Sequence, residues 1–341
     1  MIEDIEPGSP DAGVPAHFGD PLREQRLLAT EVGLVDRSHR GVIAIPGADR
    51  LTWLHNITTQ HLTALAAGQG TQTLVLSPHG HVEHHAYVTE DGETTWFDVE
   101  PGTTAGLLGF LEKMRFMMRV EPADVTAGWA LLSLVGPAAG KVIDLPAPQI
   151  ATVPGPKFAA GSVPDLPTSV YAVQAAFGGW ARRSPSGIDL LVPRDSVEAV
   201  ARELDVPRAG LWAYNSIRVS QRRARLGWET DHRTLPAEVG WSGAAVHLDK
   251  GCYRGQETVA RVHHLGRPPR KLVLLHLDGI ATDELPARHT PVLSDGRQVG
   301  FLGTAVRHYE LGMIALAVVK QNLTPDVVLQ VGPSTAAVDP G

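Results

Sequence analysis

Lys250-Gly251-Cys252-Tyr253-Arg254-Gly255-Gln256-Glu257 is the densest run of chemistry-bearing residues in the chain. Its two glycines allow tight backbone geometry around a thiol, and the flanking cations Lys250 and Arg254 are of the kind that favour a thiolate. The same run also reads as a glycine-rich helix start with a packed thiol, because free cysteine is among the most buried residue types. Cys252 is the only cysteine. No intrachain disulfide can therefore form, and one chain cannot build a cysteine-rich zinc or iron–sulfur site. Such cysteine usage fits a reducing compartment.

Downstream of this run the texture changes at Pro268-Pro269. Residues 271–277 form a buried-type strand. Asp295-Gly296 sits between VLS and RQVGFLG as a hairpin signal, and residues 314–319 form another strand. Short strands joined by turns predict a small C-terminal β-barrel, with residues 332–341 as a frayed end.

Upstream, strands and helices interleave in two similar passes. Residues 41–46, 71–76, 83–88, 94–99 and 129–135 read as strands, residues 24–34 as a short helix, and Asp49 as the cap of a helix carrying Leu51, Leu54 and Ile57. Leu107, Leu108, Leu111, Met114 and Met118 mark one helix face. A Pro/Ala/Gly-rich stretch, 144–168, reads as a connection. Strands at 169–175 and 188–192 and helices at 196–204 and 209–223 follow. The pattern predicts an internally duplicated α+β body, divided into a flexible tail (1–20), a first lobe (21–150), a second lobe with the KGCYRGQE segment (151–267) and the barrel with its tail (268–341).

Composition narrows the function classes. The chain has 341 residues, 43% of them hydrophobic and 20% charged, and a mean hydropathy of -0.04, the profile of a globular protein. Thirty basic against 37 acidic residues give a net charge of -7, which disfavours a protein that coats nucleic acid. Basic residues nevertheless cluster. Arg218, Arg222, Arg223 and Arg225 fall together, and residues 250–271 hold six Lys/Arg against Glu257 alone. A local anionic ligand, an RNA or an acidic protein would each suit such patches. The first residues lack the basic start and apolar core of a signal peptide, and no apolar run approaches a membrane span, so the expected location is cytoplasmic, with no membrane contact. His79, His81, His84 and His85 crowd one turn, but no cysteine and few carboxylates stand nearby, and no metal is expected there. Gly136–Lys141 lacks the length and the Ser/Thr of a phosphate loop.

The octapeptide KGCYRGQE resembles the signature of the YgfZ-type folate-binding proteins, relatives of the glycine cleavage T-protein (aminomethyltransferase). The resemblance extends from about residue 33 to 320, through GLVDRSHRGVIAIPGADRLTWLHNITTQ, LSPHGHVEHHAYV, RRSPSGIDLLVP and IRVSQRRARLGWETDHRTLPAEVGW. It implies a T-protein-like duplicated folate-binding body, tetrahydrofolate or a derivative as ligand, and a role in iron–sulfur cluster assembly or repair. Iron–sulfur-dependent tRNA modification would follow from that role, with assembly or client proteins as partners. On the family's pattern Asp189, closing Ser186-Gly187-Ile188-Asp189, holds the pterin, whose adjacent N–H groups suit one carboxylate. Arg218, 29 residues on, positions the rest of the folate. Cys252 is the reactive thiol, with Lys250, Gly251, Tyr253, Arg254, Gly255, Gln256 and Glu257 as its motif. The family's hairpin reads Gly-Gly-x-x-Asp-Asp, and one of those acids assists aminomethyl transfer. Here Gly80-His81-Val82-Glu83-His84-His85 places histidine at both positions, and strand alternation turns Glu83 away from His84. The resemblance therefore implies a kept folate cavity without its catalytic carboxylate. A folate-dependent aminomethyl- or methyltransferase and an RNA-binding module remain the alternatives.

Overall fold

A computed structural model of the protein describes residues 3–147, 149–153, 157–158, 161–162, 166–280, 282–324 and 326–340. Among these, twelve strands form one sheet and six more close a barrel. The sheet has two halves. One is built from Gly41–Pro46, Gln69–Leu76, Val82–Glu90, Thr94–Val99 and Ala123–Asp124. The other is built from Gly33–Asp36, Trp129–Val135, Leu166–Ala176, Gly179–Ser184, Gly187–Pro193 and Arg208–Ala209, with Gln149–Val153 beside Leu166–Ala176. The halves meet where Tyr171 pairs with Gly70. Gly33–Asp36 and Trp129–Val135, both inside the expected first lobe, pair with each other and the latter with Gly187–Pro193. The halves thus interleave along the chain instead of changing near residue 150. Their cores follow the same division: Ile43, Leu54, Val88, Phe97 and Leu111 pack in one, and Leu34, Leu132, Ile188, Leu190 and Val200 in the other.

The helices follow from local signals with three differences. In α1 (Pro21–Thr30) the Asp20 carboxylate accepts from the Leu22 and Arg23 N–H groups and Pro21 opens the first turn. It ends before Gly33, whose strand replaces the expected last helical turn. In α2 (Arg50–Ile57) the preceding Asp49 makes no side-chain cap. Its carboxylate is taken by Arg119 at 2.7 and 3.0 Å. The stripe expected to reach Met118 stops with α3 (Thr104–Met114), because Phe116 turns the chain at φ 44°. A short α4 (Ala139–Val142), α5 (Val197–Leu204), α6 (Leu211–Ser220) and α7 (Gln256–Leu265) complete the set.

The barrel order is Arg270–Leu277, Gly312–Lys320, Arg297–His308, Pro291–Ser294, Leu329–Val331, Ser334–Val338. Asp295 and Gly296 turn its hairpin at φ 49° and 72°, the paired left-handed residues of a two-residue hairpin loop. Both expected tails need correction. Ser334–Val338 pairs with the first barrel strand and closes the barrel. Residues 3–17 fold back as a two-stranded ribbon, with Asp11, Val14 and Ala16 buried. A Gly/Pro-rich composition reads as a tail, but three inward side chains anchor this one.

Candidate functional site

Strand alternation sends Asp98, Arg182 and Asp189 to the inner side of the sheet, where Asp11, Arg37, Arg40, Glu100 and Arg225 from the adjoining turns complete a continuous ladder. Asp189 Oδ1 accepts from Ser133 Oγ at 2.7 Å and Arg37 Nη1 at 3.3 Å, and its Oδ2 from Arg182 Nη2 at 3.1 Å. Arg182 Nη2 also lies 2.7 Å from Asp98 Oδ1. Asp98 Oδ2 then accepts from Arg40, whose Nη1 reaches Glu100 at 2.6 Å. Glu100 accepts from Arg225 Nε at 2.8 Å, and Arg225 forks onto Asp11 at 2.6 and 2.9 Å. His39 Nε2 ends the ladder 3.3 Å from Asp11. Four arginines alternate with four carboxylates. Such mutual compensation lets eight ionised groups stay out of water. Burial would raise the Asp189 and Glu100 pKa values, but the adjoining arginines outweigh it and hold both below the ordinary carboxylate range.

Aromatic rings line the Asp189 end. Arg37 lies 4.5 Å over the Tyr214 ring, and Arg182 lies 5.1 Å from the Tyr87 ring and 5.0 Å from that of Trp180. Gln72 donates to the Tyr171 hydroxyl at 2.7 Å. Among the described residues several buried polar atoms here lack a hydrogen-bond partner: Trp180 Nε1, Arg182 Nε, Ser184 Oγ, and Arg223 Nε and Nη2. Buried donors left open in this way mark a place where a polar ligand would satisfy them.

The hairpin histidines part company. His85 faces inward, stacked at 4.5 Å on Trp241 and bonded through Nε2 to Gln72 Oε1 at 2.9 Å. His84 faces the other way, beside Gly106 of α3. Burial lowers the pKa of each from 6.5 to about 4, so both are neutral near pH 7. Glu83 points outward and is forked by Arg254 at 3.1 and 3.3 Å. The inner position therefore holds a neutral imidazole that can donate or accept a hydrogen bond but cannot supply a carboxylate. The His79 and His81 rings, 6.2 Å apart, stay in the turn.

The octapeptide lies elsewhere, and its cations do not serve the thiol. Lys250 is buried and its amine takes the carbonyls of His55, Thr58 and Gln60 at the end of α2, as a C-terminal cation does. Burial lowers its pKa to about 8. Arg254 is neutralised by Glu83. Cys252 itself is exposed, at the wall of a 480 Å³ hollow lined also by Asn56, Ile57, Phe110 and Met114. Tyr253 packs inward under the Lys250 amine, Gln256 Nε2 donates to the Lys250 carbonyl, and Gly251 and Glu257 are exposed. Gly255 sits at φ 82°, where a Cβ would lie 2.6 Å from the Ser77 carbonyl and 2.8 Å from Gly80 Cα. The octapeptide and the histidine hairpin thus meet backbone to backbone. This packing is the reason for the second glycine.

The expected site residues do not gather at one point. Asp189 lies on the inner side of the sheet, whereas Arg218 is fully engaged between α6 and the barrel. Its Nε donates to Asn215, Nη1 to the Arg223 carbonyl and Glu229, and Nη2 to Thr304. The basic patches are also partly taken up within the fold. Arg218 pairs with Glu229, Arg222 with Asp339, Arg225 with Asp11 and Glu100, Arg270 with Asp231 and Glu238, and Lys271 binds the Leu323 carbonyl. Much of what reads as a run of like charge is here a set of cross-chain ion pairs, while Arg223, Arg261 and Arg267 have no carboxylate partner among the described residues. Sequence reading missed Arg37, Arg40, Asp98, Glu100 and Arg182. The available signal was a charge in or beside an otherwise apolar strand, as in TTWFDV and GWARRS.

Comparison with known proteins agrees with this architecture. Residues 15–155 match the family model of the GCVT N-terminal domain. The chain is 27% identical to an aminomethyltransferase of Rubrobacter xylanophilus, across 88% of this chain and 78% of that one. It is 27% identical to one from Geobacillus kaustophilus, across 91% and 85%. A putative chloroplastic transferase of Arabidopsis thaliana is 27% identical over 80% of this chain, a stretch that is 61% of that protein's length. The crystal structure of glycine cleavage system aminomethyltransferase T from Bartonella henselae superposes with a TM-score of 0.75 at 17% identity, covering 98% of this chain and 92% of that one. The chain has the T-protein fold: mixed α/β sheets with a closed six-stranded C-terminal barrel.

Proposed function

We propose that this protein binds a reduced folate on the inner side of its sheet, with Asp189 holding the pterin, and that it does not transfer aminomethyl groups. The observation that carries the reading is the Asp189 end of the ladder. The two arginines that hold this buried carboxylate lie against Tyr87, Tyr214 and Trp180 within a T-protein fold, and unpartnered donors stand nearby. An acid of this kind accepts the paired N–H groups of a pterin edge, the rings offer apolar and stacking surface, and Trp180 Nε1 and Arg223 offer open donors. Bound folate would supply a one-carbon carrier. The chain's own contribution is to bind and orient it, with the inner imidazole of His85 held neutral by burial.

The resemblance of the octapeptide KGCYRGQE to the YgfZ-type signature supports a wider role in assembly or repair of iron–sulfur proteins, and through them in tRNA modification. Cys252, exposed beside an apolar hollow, is then the group offered to a partner protein, since a lone thiol cannot hold a cluster. The competing reading, a folate-dependent aminomethyltransferase, is favoured by the names of the similar proteins. Calorimetric titration with tetrahydrofolate tests the binding, and saturable heat with unit stoichiometry is expected. Turnover of an aminomethyl-loaded lipoyl carrier with tetrahydrofolate tests the chemistry. Sustained product release would replace our reading with the transferase.

A further inference from the structure

The four arginines between residues 218 and 225 differ in one respect that their sequence hides. Arg218, Arg222 and Arg225 each meet a carboxylate. Arg223 meets none among the described residues. Its Nη1 donates to Ser186 Oγ, while its Nε and Nη2 are buried without a hydrogen-bond partner. The ladder beside it already balances four arginines against four carboxylates, so Arg223 is an additional cation on that side of the fold. Arg223 as a whole is half-buried, and a partly desolvated cation without a counter-ion is a place where an anionic ligand gains affinity.

Its place in the fold connects it to the proposed site. Tyr214, α6's inward ring, lies against Arg37, which binds Asp189. Arg223 leaves the end of the same α6, and its guanidinium rests on Ser186, three residues before Asp189. Ser186 also lines a 640 Å³ hollow shared with Arg183, Ser184, Gln221, Tyr309 and Glu310, which is room for a flexible chain of a drug-sized ligand. Arg218 holds this arrangement from behind. It donates to the Arg223 carbonyl at 2.6 Å, and the Arg223 N–H returns to the Arg218 carbonyl at 3.0 Å.

Resting on the folate reading above, we infer that Arg223, and not Arg218, receives the carboxylate end of the bound folate, which leaves the Asp189 end past Ser186 toward this hollow. Arg218 is a positioning residue for Arg223. Calorimetric titration of the whole protein with tetrahydrofolate, and with tetrahydropterin, which lacks the p-aminobenzoyl-glutamate portion, separates the possibilities. Arg223→Gln should weaken tetrahydrofolate binding by about tenfold or more, the effect of losing a charge-assisted contact, and leave tetrahydropterin binding unchanged within about twofold. Arg223→Lys should recover part of the loss, because it keeps the charge without the fork. Equal loss for both ligands, no loss for either, or selective loss in Arg218→Gln in place of Arg223→Gln would each overturn the assignment. Should the folded wild-type protein bind no tetrahydrofolate, the folate reading itself falls; if it binds and only the Arg223 discrimination fails, that reading stands and this inference alone is lost.

Discussion

The inner side of the sheet and the octapeptide loop both concentrate charge, yet they use it in opposite ways. On the sheet, Arg182, Arg40 and Arg225 meet carboxylates inside the protein, far from water. In the loop, Lys250 is tied to helix-end carbonyls and Arg254 to Glu83 at the surface, while Cys252 faces solvent. One region is a rigid polar lining with a few donors left open. The other is a braced surface loop whose charges hold it in place and leave the thiol uncovered. Binding and partner contact are thus assigned to different physical environments, and substitutions in the two should differ in kind as well as in size.

The largest effect is expected in the ladder. Arg225→Met removes the fork on Asp11 and one of the two arginines on Glu100, which keeps Arg40, and leaves buried carboxylate charge undercompensated at a cost of roughly 3–5 kcal/mol. Chemical denaturation measures it. A loss under about 1 kcal/mol, the size of a surface pair, would mean that the ladder is hydrated and the contrast with the loop is false.

Acidification probes the same burial through His85. Its pKa falls from 6.5 to about 4 on folding because burial disfavours the imidazolium. Above pH 6.5 neither state holds the proton. Between 6.5 and about 4 the unfolded chain takes it up and the folded one resists, so stability falls as pH falls through that window. For one buried imidazole the loss amounts to about 3 kcal/mol at most. Replacing His85 by Gln should flatten the slope there, as seen in denaturation midpoints at stepped pH. An unchanged slope would place the effect at His84 or elsewhere.

Asp189→Asn keeps the shape of the inner site and removes its charge. Folate affinity should drop by roughly 1.5–3 kcal/mol, the value of a hydrogen bond to a charged group. Calorimetry on the folded variant decides it, and equal affinity would remove Asp189 from the site.

What was legible in the chain follows from how local each cause is. GVIAIP is a strand by its own short run of apolar and β-branched residues, and Asp-Gly at 295–296 turns a hairpin by its own backbone preference, so both were readable. Asp189 on the SGID strand was legible only through the family's pattern, since by itself it reads as a solvated strand-end acid. Pairing was not legible. Arg225 finds Asp11 across 214 residues and Arg40 finds Asp98 across 58, and nothing in a window of sequence distinguishes these from a solvated basic patch. The same blindness made Arg218 and Arg223 look alike and made residues 3–17 look like a tail. Their partner, Arg225, lies more than two hundred residues away.

The smallest expected effect belongs to the loop. Cys252 is exposed and carries no described packing role, so Cys252→Ser should change stability by less than about 0.5 kcal/mol, as surface substitutions do. Folate binding should stay intact, because neither Asp189 nor the aromatic rings around it touch the loop in any described contact. The native thiol should accept iodoacetamide without denaturant, since access does not require opening the fold. If the surface thiol is what a partner meets, this nearly silent substitution should still abolish support of iron–sulfur enzymes in cells, whereas Arg225→Met would act there only through lowered abundance. A Cys252→Ser protein that melts several degrees lower and resists alkylation when native would instead place the thiol in the packing. The two regions would then not be separated by burial, and the octapeptide would be a structural brace throughout.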